Sequence, residues 1–249
     1  MRAVLLILSL LAGAACGDRT LIDPLAQLEK DPDAILLAAQ PTYQATYETY
    51  MTWLTVSGGV PYPTTVRHMT TVVYAGRPPD FRWDVTDADV DVPTTYNIVV
   101  HAQSAEYCTN NPGPAACYDL QPDEKEFWVQ VITDSPWEGY REVIRNMNVA
   151  VLPREHIAGR DAACFRWTTP GPVPTRTIDD SFEGCFTPDG VMLRALMDLG
   201  DTQTEHRAVS IRNRVADADL TPPYPMKTGP PPMRSGDGTY PTATPTPKH

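Results

Sequence analysis

The sequence lacks the short motifs that mark common catalytic and metal sites. It has no HExxH motif, no GxSxG nucleophile elbow, no GxGxxG or P-loop glycine pattern and no CxxC pair. The histidines are scattered, and no two have metal-ligand spacing: His68, His101, His156, His206 and His249. We therefore expect no metal, no cofactor and no catalytic residue. A hydrolase remains an alternative, because a catalytic triad is assembled in space from distant residues.

Basic residues are also few compared with acidic ones. The chain has 20 Lys and Arg against 31 Asp and Glu, a net charge of -11. Such a surface repels phosphate groups, which argues against nucleic acid and against broad electrostatic binding of anionic lipid headgroups. The acidic positions Asp84, Asp87, Asp89 and Asp91 lack the glycine and terminal glutamate of an EF-hand. We interpret them as a solvated loop face.

Long hydrophobic runs are also missing, since a transmembrane helix requires about 20 apolar residues. The apolar run from Ala3 to Ala15 is shorter and follows a single positive charge at Arg2, which is the pattern of a secretory signal. Its small residues directly precede Cys16 and resemble a bacterial lipobox, although Gly13 occupies the position where the usual lipobox has Leu.

Two interpretations of this leader are open. In one, Cys16 is acylated and anchors the protein to the extracytoplasmic side of the cell membrane, because each buried methylene of an acyl chain contributes about 0.8 kcal/mol. In the other, an ordinary signal peptide is cut after Ala14 or Ala15 and the protein is secreted. We favour acylation, because Cys16 lies so close to the end of the apolar run.

Four cysteines remain if Cys16 carries lipid: Cys108, Cys117, Cys164 and Cys185. An even number in an exported chain indicates disulfides, and four cysteines allow three pairings. We favour Cys108–Cys117, which encloses a Pro/Gly/Asn loop, and Cys164–Cys185, which would join two paired strands. A zinc site is the competing interpretation, but it lacks a CxxC pair and clustered histidines.

Alternating apolar residues predict an antiparallel sheet. From Tyr43 to Trp53 the odd positions form one largely apolar face. Further strands are predicted at Val66–Tyr74, Phe81–Val85, Tyr96–Ala102, Ile157–Thr168, Phe182–Phe186, Val191–Leu199 and Glu205–Arg214. Turns are predicted at Val56–Pro63, Gly76–Pro79 and Thr187–Gly190, and helices at Asp33–Ala39, Glu124–Ile132 and Trp137–Met147. Strands separated by turns, with helices set apart from them, indicate an α+β fold.

The predicted organisation has four parts. Residues 1–15 form the signal peptide, 16–30 a tether, 31–221 a single α+β domain, and 222–249 a Pro/Thr-rich tail. The tail is too rich in proline and too poor in apolar residues to bury a core, so we expect it to be extended or disordered.

One short motif resembles a known family. The segment Gly76–Val85, with Phe81-Arg82-Trp83 at its centre, is similar to the Phe-Arg-Trp strand of the bacterial lipoprotein-carrier family. Relatives of that family include mycobacterial-type lipid-binding lipoproteins and periplasmic regulators of envelope stress. Residues 159–167 and 185–193, with a turn at Asp189-Gly190, resemble a later hairpin of such lipoproteins. The likeness covers residues 30–222.

The resemblance implies a curved antiparallel half-barrel whose concave side is covered by helices around an apolar cavity for acyl chains. The candidate lining residues are Tyr47, Met51, Trp53, Val191, Leu193 and Met197. Carrier proteins are usually soluble and lack a lipid anchor, so Cys16 and the disulfides make this chain more similar to the membrane-tethered relatives. The implied function is binding of lipid acyl chains or of a lipoprotein, for transport or for sensing.

A filled core is the alternative to a cavity, because apolar faces also pack against helices. In that case we expect an envelope interaction protein that contacts a protein partner through the sheet edge or the tail.

Overall fold

A computed structural model of the chain describes residues 23–37, 41–57, 60–87, 94–110, 113–122, 124–125, 147–170, 181–198 and 202–229. The predicted signal peptide and Cys16 lie outside these ranges. So do the tail from residue 230 onward and nearly all of the predicted helices Glu124–Ile132 and Trp137–Met147. Within the described ranges, no helix is long and apolar enough to cross a membrane.

The described residues form one sheet of twelve strands. The strands are β1 Tyr43–Ser57, β2 Val60–Arg77, β3 Asp80–Asp87, β4 Thr94–Val100, β5 Ala105–Thr109, β6 Ala116–Asp119, β7 Asn148–Ile157, β8 Arg160–Thr168, β9 Ser181–Phe186, β10 Met192–Asp198, β11 Thr202–Arg212 and β12 Met226–Lys227. Their order across the sheet is β12-β6-β5-β4-β3-β2-β1-β11-β10-β9-β8-β7. Only the β12–β6 pair is parallel. The sheet is therefore open and consists of two antiparallel meanders joined where β1 pairs with β11.

The first hairpin is longer than predicted. The turn predicted at Val56–Pro63 is wrong, because β1 continues to Ser57 and β2 begins at Val60. Pro61 and Pro63 therefore lie within β2. Strand β3 pairs with β2 only from Thr70 onward, so the proline-containing part of β2 pairs with β1 alone. Proline is tolerated there, because one edge of that stretch requires no ladder hydrogen bonds.

The strand predicted at Ile157–Thr168 is present as β8 but begins later, at Arg160, as the second strand of another hairpin. Ile157 is the last residue of β7, and Ala158 and Gly159 form a turn that leads into β8. Both turn residues have positive φ, 49° at Ala158 and 77° at Gly159. Glycine adopts that conformation without steric cost, so Gly159 marks the end of one strand and not the interior of another.

Helices are few among the described residues: α1 Pro24–Lys30, α2 Asp33–Leu37 and a 3-10 helix at Asp217–Leu220. Helix α1 lies within the predicted tether. It begins after Asp23, whose side chain accepts a hydrogen bond from the Leu25 amide at 3.0 Å. The predicted helix at Asp33–Ala39 is described as α2 as far as Leu37. The open curved antiparallel sheet agrees with the prediction, whereas the predicted helical cover of its concave side is not shown in the described residues.

Strand pairing extends beyond the predicted domain boundary at residue 221. Met226 and Lys227 pair with Cys117 and Tyr118 of β6. The start of the predicted tail therefore forms the last strand at one edge of the sheet.

Candidate ligand-binding face

Strand register places two transverse rows of side chains on one face of the sheet, because directly paired residues project to the same side. The first row is Val149, Trp167, Phe182, Met197, Thr204 and Met51. The second row is Val151, Phe165, Gly184, Ala195, His206 and Thr49. We call this side the apolar face, since no residue in either row carries a full charge at neutral pH.

The opposite side of the same strands carries charge. Arg194 donates from Nε to Glu205 at 2.8 Å and from Nη1 to Glu155 at 2.9 Å. Glu183 lies 3.4 Å from the same Nη1, and Arg166 Nε donates to Glu183 at 2.8 Å. This ion-pair network links β7, β8, β9, β10 and β11. It makes that side unsuitable for acyl chains.

Part of the apolar face is a filled core. Trp167 lies 5.6 Å from Phe165 and 5.5 Å from Phe182 between ring centroids. Leu25 and Leu28 of α1 and Ile35 of α2 pack into the same cluster. Gly184 is required here, because a Cβ at that position would lie 2.5 Å from the Phe186 ring. An acyl chain has no space in this region.

The adjoining part of the apolar face is more accessible. Met51, Trp53 and Met197 are half-buried, and we call these three residues the open patch. Met51 and Met197 lie in the same row on either side of Thr204, while Trp53 is opposite Thr202. The structure thus brings together three of the six residues that the sequence proposed as cavity lining.

The other three proposed lining residues lie in the core. Tyr47, Val191 and Leu193 are 4%, 1% and 0% exposed and belong to one buried cluster. The Tyr47 hydroxyl donates to the main-chain oxygen of Met192 at 2.8 Å. Burial raises the pKa of Tyr47 well above its ordinary value, and burial raises the pKa of Tyr43 to about 12. These side chains support the face from within and are not accessible to a ligand.

A polar pair interrupts the apolar face, and the sequence did not single it out as a site. His206 Nδ1 lies 2.9 Å from Thr49 Oγ1, and Thr49 is buried. Burial lowers the pKa of His206. One sequence feature could have identified it: side chains alternate between the two sides of a strand, so in β11 His206 must lie on the same side as Thr204.

The cysteines are paired as the sequence favoured, Cys108 with Cys117 and Cys164 with Cys185. Glu155 approaches the second pair, with Oε1 3.7 Å from Cys185 Sγ. Glu155, Cys164 and Cys185 are grouped closely enough to hold an ion. Because both sulfurs are in the disulfide, only the carboxylate could act as a ligand, and the described residues therefore do not form a metal site there.

A cavity of about 210 Å³ lies away from the open patch, beside the 3-10 helix. Its lining is Gln44, Val73, Ala75, Arg82, Asp84, Ala218 and Asp219. Arg82 donates to both carboxylate oxygens of Asp84, at 2.7 and 2.8 Å, and to the main-chain oxygen of Thr221 at 2.9 Å. This polar cavity is not the apolar one expected from the resemblance. The Phe-Arg-Trp motif is thus divided, with Arg82 beside the polar cavity and Phe81 in the core.

No protein-family description and no curated protein sequence matches the chain. Solved structures do match. MucB is 13% identical with a TM-score of 0.45, over 79% of this chain and 62% of MucB, so the chain spans about three fifths of that protein. LppX of Mycobacterium tuberculosis (13% identity, TM-score 0.41) and LprF of Mycobacterium bovis (12%, 0.41) match over 78% of this chain and 97% and 94% of theirs. Lipoproteins are therefore among the matches, as the resemblance led us to expect. All these TM-scores are below 0.5.

Proposed function

We propose that the protein is an extracytoplasmic lipoprotein that binds the acyl chains of a lipid, or of an acylated protein, on the apolar face of its sheet. The observation that carries the proposal is the open patch, where Met51, Trp53 and Met197 are half-buried on the apolar face. Large apolar side chains left partly accessible beside a packed core provide the surface that an acyl chain would cover.

The two methionines suit this role. A thioether side chain is unbranched and polarizable, so it adapts to ligands of differing shape. Met197 is continuous with the filled aromatic cluster, because Phe182 is its register partner on β9. An acyl chain on the open patch would therefore extend the apolar contacts that the core already makes.

The proposed anchor at Cys16 is consistent with this arrangement. Six residues separate Cys16 from Asp23, so an extended tether of seven residue steps spans at most about 25 Å. Arg154 holds both ends of α1 to β7, through Asp23 at 2.7 Å and Glu29 at 2.5 Å. A lipid on Cys16 would keep α1, and the apolar cluster beneath it, close to the membrane from which a ligand is taken.

Native mass spectrometry of the exported protein, with its disulfides intact, tests the proposal. We expect a bound mass that organic solvent removes and that reappears when phospholipid is added. Met197→Gln should reduce the bound fraction severalfold, because it places a polar group on the open patch at nearly constant volume.

The matched control is Leu196→Gln. Leu196 is the neighbouring residue, is also half-buried and projects to the charged side. This variant should retain the wild-type bound fraction. A wild-type protein with a clean apo mass and no uptake of added phospholipid would refute lipid binding.

An exposed sheet edge favours a second candidate, an envelope protein that binds a partner strand. Strand β7 is last in the sheet order, and Val149 and Val151 are 42% and 51% exposed. Edge strands pair readily with extended segments of other proteins. A Val149→Lys, Val151→Lys double variant should abolish such binding.

A further inference from the structure

The polar pair formed by His206 and Thr49 lies inside the proposed lipid-binding face. Register places His206 between Ala195 on β10 and Thr49 on β1. The pair makes one hydrogen bond of 2.9 Å, between His206 Nδ1 and Thr49 Oγ1. Thr49 is 6% exposed, whereas His206 is half-buried. His206 is therefore the more accessible member of the pair.

The bond to Thr49 determines which nitrogen of His206 is available. Nδ1 is engaged, so Nε2 on the other side of the ring remains for a ligand. Within the part of the chain that the structure describes, no hydrogen bond to Nε2 is found. When the Thr49 hydroxyl donates to Nδ1, Nε2 carries the proton and acts as a donor.

The surroundings favour a neutral acceptor over an anion. The register neighbours Ala195 and Thr49 are uncharged, as are Thr204 and Met51 in the adjacent row. Burial lowers the pKa of His206, so its ring is neutral at pH 7. Bringing a carboxylate or phosphate to a neutral donor in an apolar environment has a large desolvation cost. A carbonyl oxygen has a much smaller one.

The open patch lies two residues from this donor's row, both along β1 and along β10. Met51 follows Thr49 by two residues on β1, and Met197 follows Ala195 by two residues on β10. Two residues of strand span about 7 Å. An acyl chain that contacts both methionines would therefore bring the oxygen at its head close to the imidazole.

We propose that His206, oriented by Thr49, donates a hydrogen bond from Nε2 to the ester carbonyl of the ligand, so that the open patch selects acyl esters over ether-linked or plain hydrocarbon chains. This inference rests on the proposed lipid-binding function and adds the substrate class to it.

Binding of two matched probes to the full-length protein tests the inference. The probes are dioctanoyl phosphatidylcholine and its dioctyl ether analogue, which has the same headgroup and nearly the same chain length but no carbonyl. We expect a roughly tenfold preference of the wild-type protein for the ester, the factor that one hydrogen bond of this kind provides. His206→Leu should bind both probes equally, and His206→Gln should keep part of the preference because its amide can donate.

The control variant is His68→Leu. His68 pairs with Tyr50 and so lies on the charged side of the same sheet. It should leave the preference unchanged, while Thr49→Val should lower it by releasing the imidazole. Equal binding of both probes by the wild-type protein, or a preference that survives in His206→Leu, would overturn the inference and leave lipid binding intact. Binding of neither probe would overturn the proposed function itself.

Discussion

At the scale of single residues, His206 shows how a site residue and a stabilising contact can be the same group. Its Nδ1 is hydrogen-bonded to Thr49, and its register partners Ala195 and Thr49 are uncharged. Burial lowers its pKa, while the nearby Glu205 carboxylate, on the other side of the sheet, acts in the opposite direction. The folded protein therefore favours the neutral imidazole more strongly than the unfolded chain does.

This preference predicts a loss of stability in acid. Above the unfolded pKa of about 6.5 the ring is neutral in both states. Below it the unfolded chain binds a proton that the folded protein does not, so the free energy of unfolding falls as the pH drops. Each unit by which folding lowers the pKa corresponds to about 1.4 kcal/mol.

We expect denaturant unfolding to show this fall between pH 7.5 and 5, and His206→Gln to reduce its slope. His68→Gln, on the opposite side, should retain the wild-type slope. If His206→Gln and the wild type lose stability in parallel, the buried imidazole does not cause the effect.

At the scale of strands, the disulfides each join directly paired neighbours. Cys108 and Cys117 are register partners on β5 and β6, and Cys164 and Cys185 are partners on β8 and β9. Each bond closes a loop and restricts the unfolded chain. The sequence separations are 9 and 21 residues. Loop-closure entropy then gives about 2.7 and 3.4 kcal/mol, respectively.

We therefore expect replacement of both cysteines of a pair by alanine to lower the free energy of unfolding by about 3 kcal/mol. The larger loss should occur for Cys164 and Cys185, which close the longer loop. Equilibrium unfolding of the two double variants, compared at one denaturant and pH, measures the difference. A larger loss for Cys108 and Cys117 would mean that native-state contacts, and not loop length, determine the contribution.

The alternation of apolar and polar residues predicted the strands well wherever that alternation is uninterrupted. The predicted strands at Phe81–Val85 and Val191–Leu199 correspond to β3 and β10. Strand β7 was missed because Pro153 and the charged residues after it break the alternation of Val149 and Val151. The structure accommodates this break with a register shift between Leu152 and Glu155. The sequence pattern alone does not show that a partner strand is present.

The candidate site was only half predictable for a related reason. Alternation correctly places Tyr47 and Met51 on one side of β1, but it does not show which of them other elements cover. Tyr47 is closed off by its contact with Met192, 145 residues away in the sequence. Met51 is half-buried, and its row passes through Thr204 to Met197. Those contacts depend on which distant strands pair, and hydrophobic periodicity does not predict strand pairing.

At the scale of the whole molecule, charge and apolar surface are separated. The net charge of -11 opposes contact with anionic lipid headgroups. The Arg–Glu network lies on one side of β7 to β11 and the open patch on the other. A protein of this kind is not drawn to a membrane by charge. An acyl anchor would supply the attachment that its surface does not.

In the proposed arrangement, Cys16 determines whether the protein is found at the membrane. We expect the wild-type protein to fractionate with membranes and to incorporate labelled palmitate, because several acyl chains together anchor a protein firmly. Cys16→Ser should remove the label and release the protein, still exported and folded, into the soluble extracytoplasmic fraction. Its lipid binding in solution should be unchanged, since six residues separate Cys16 from Asp23, the first described residue. A wild-type protein that is already soluble, with a mature N-terminus at Ala15 or Cys16 and no label, would instead establish an ordinary signal peptide. The apolar face would then have to take its ligand without being tethered to the membrane.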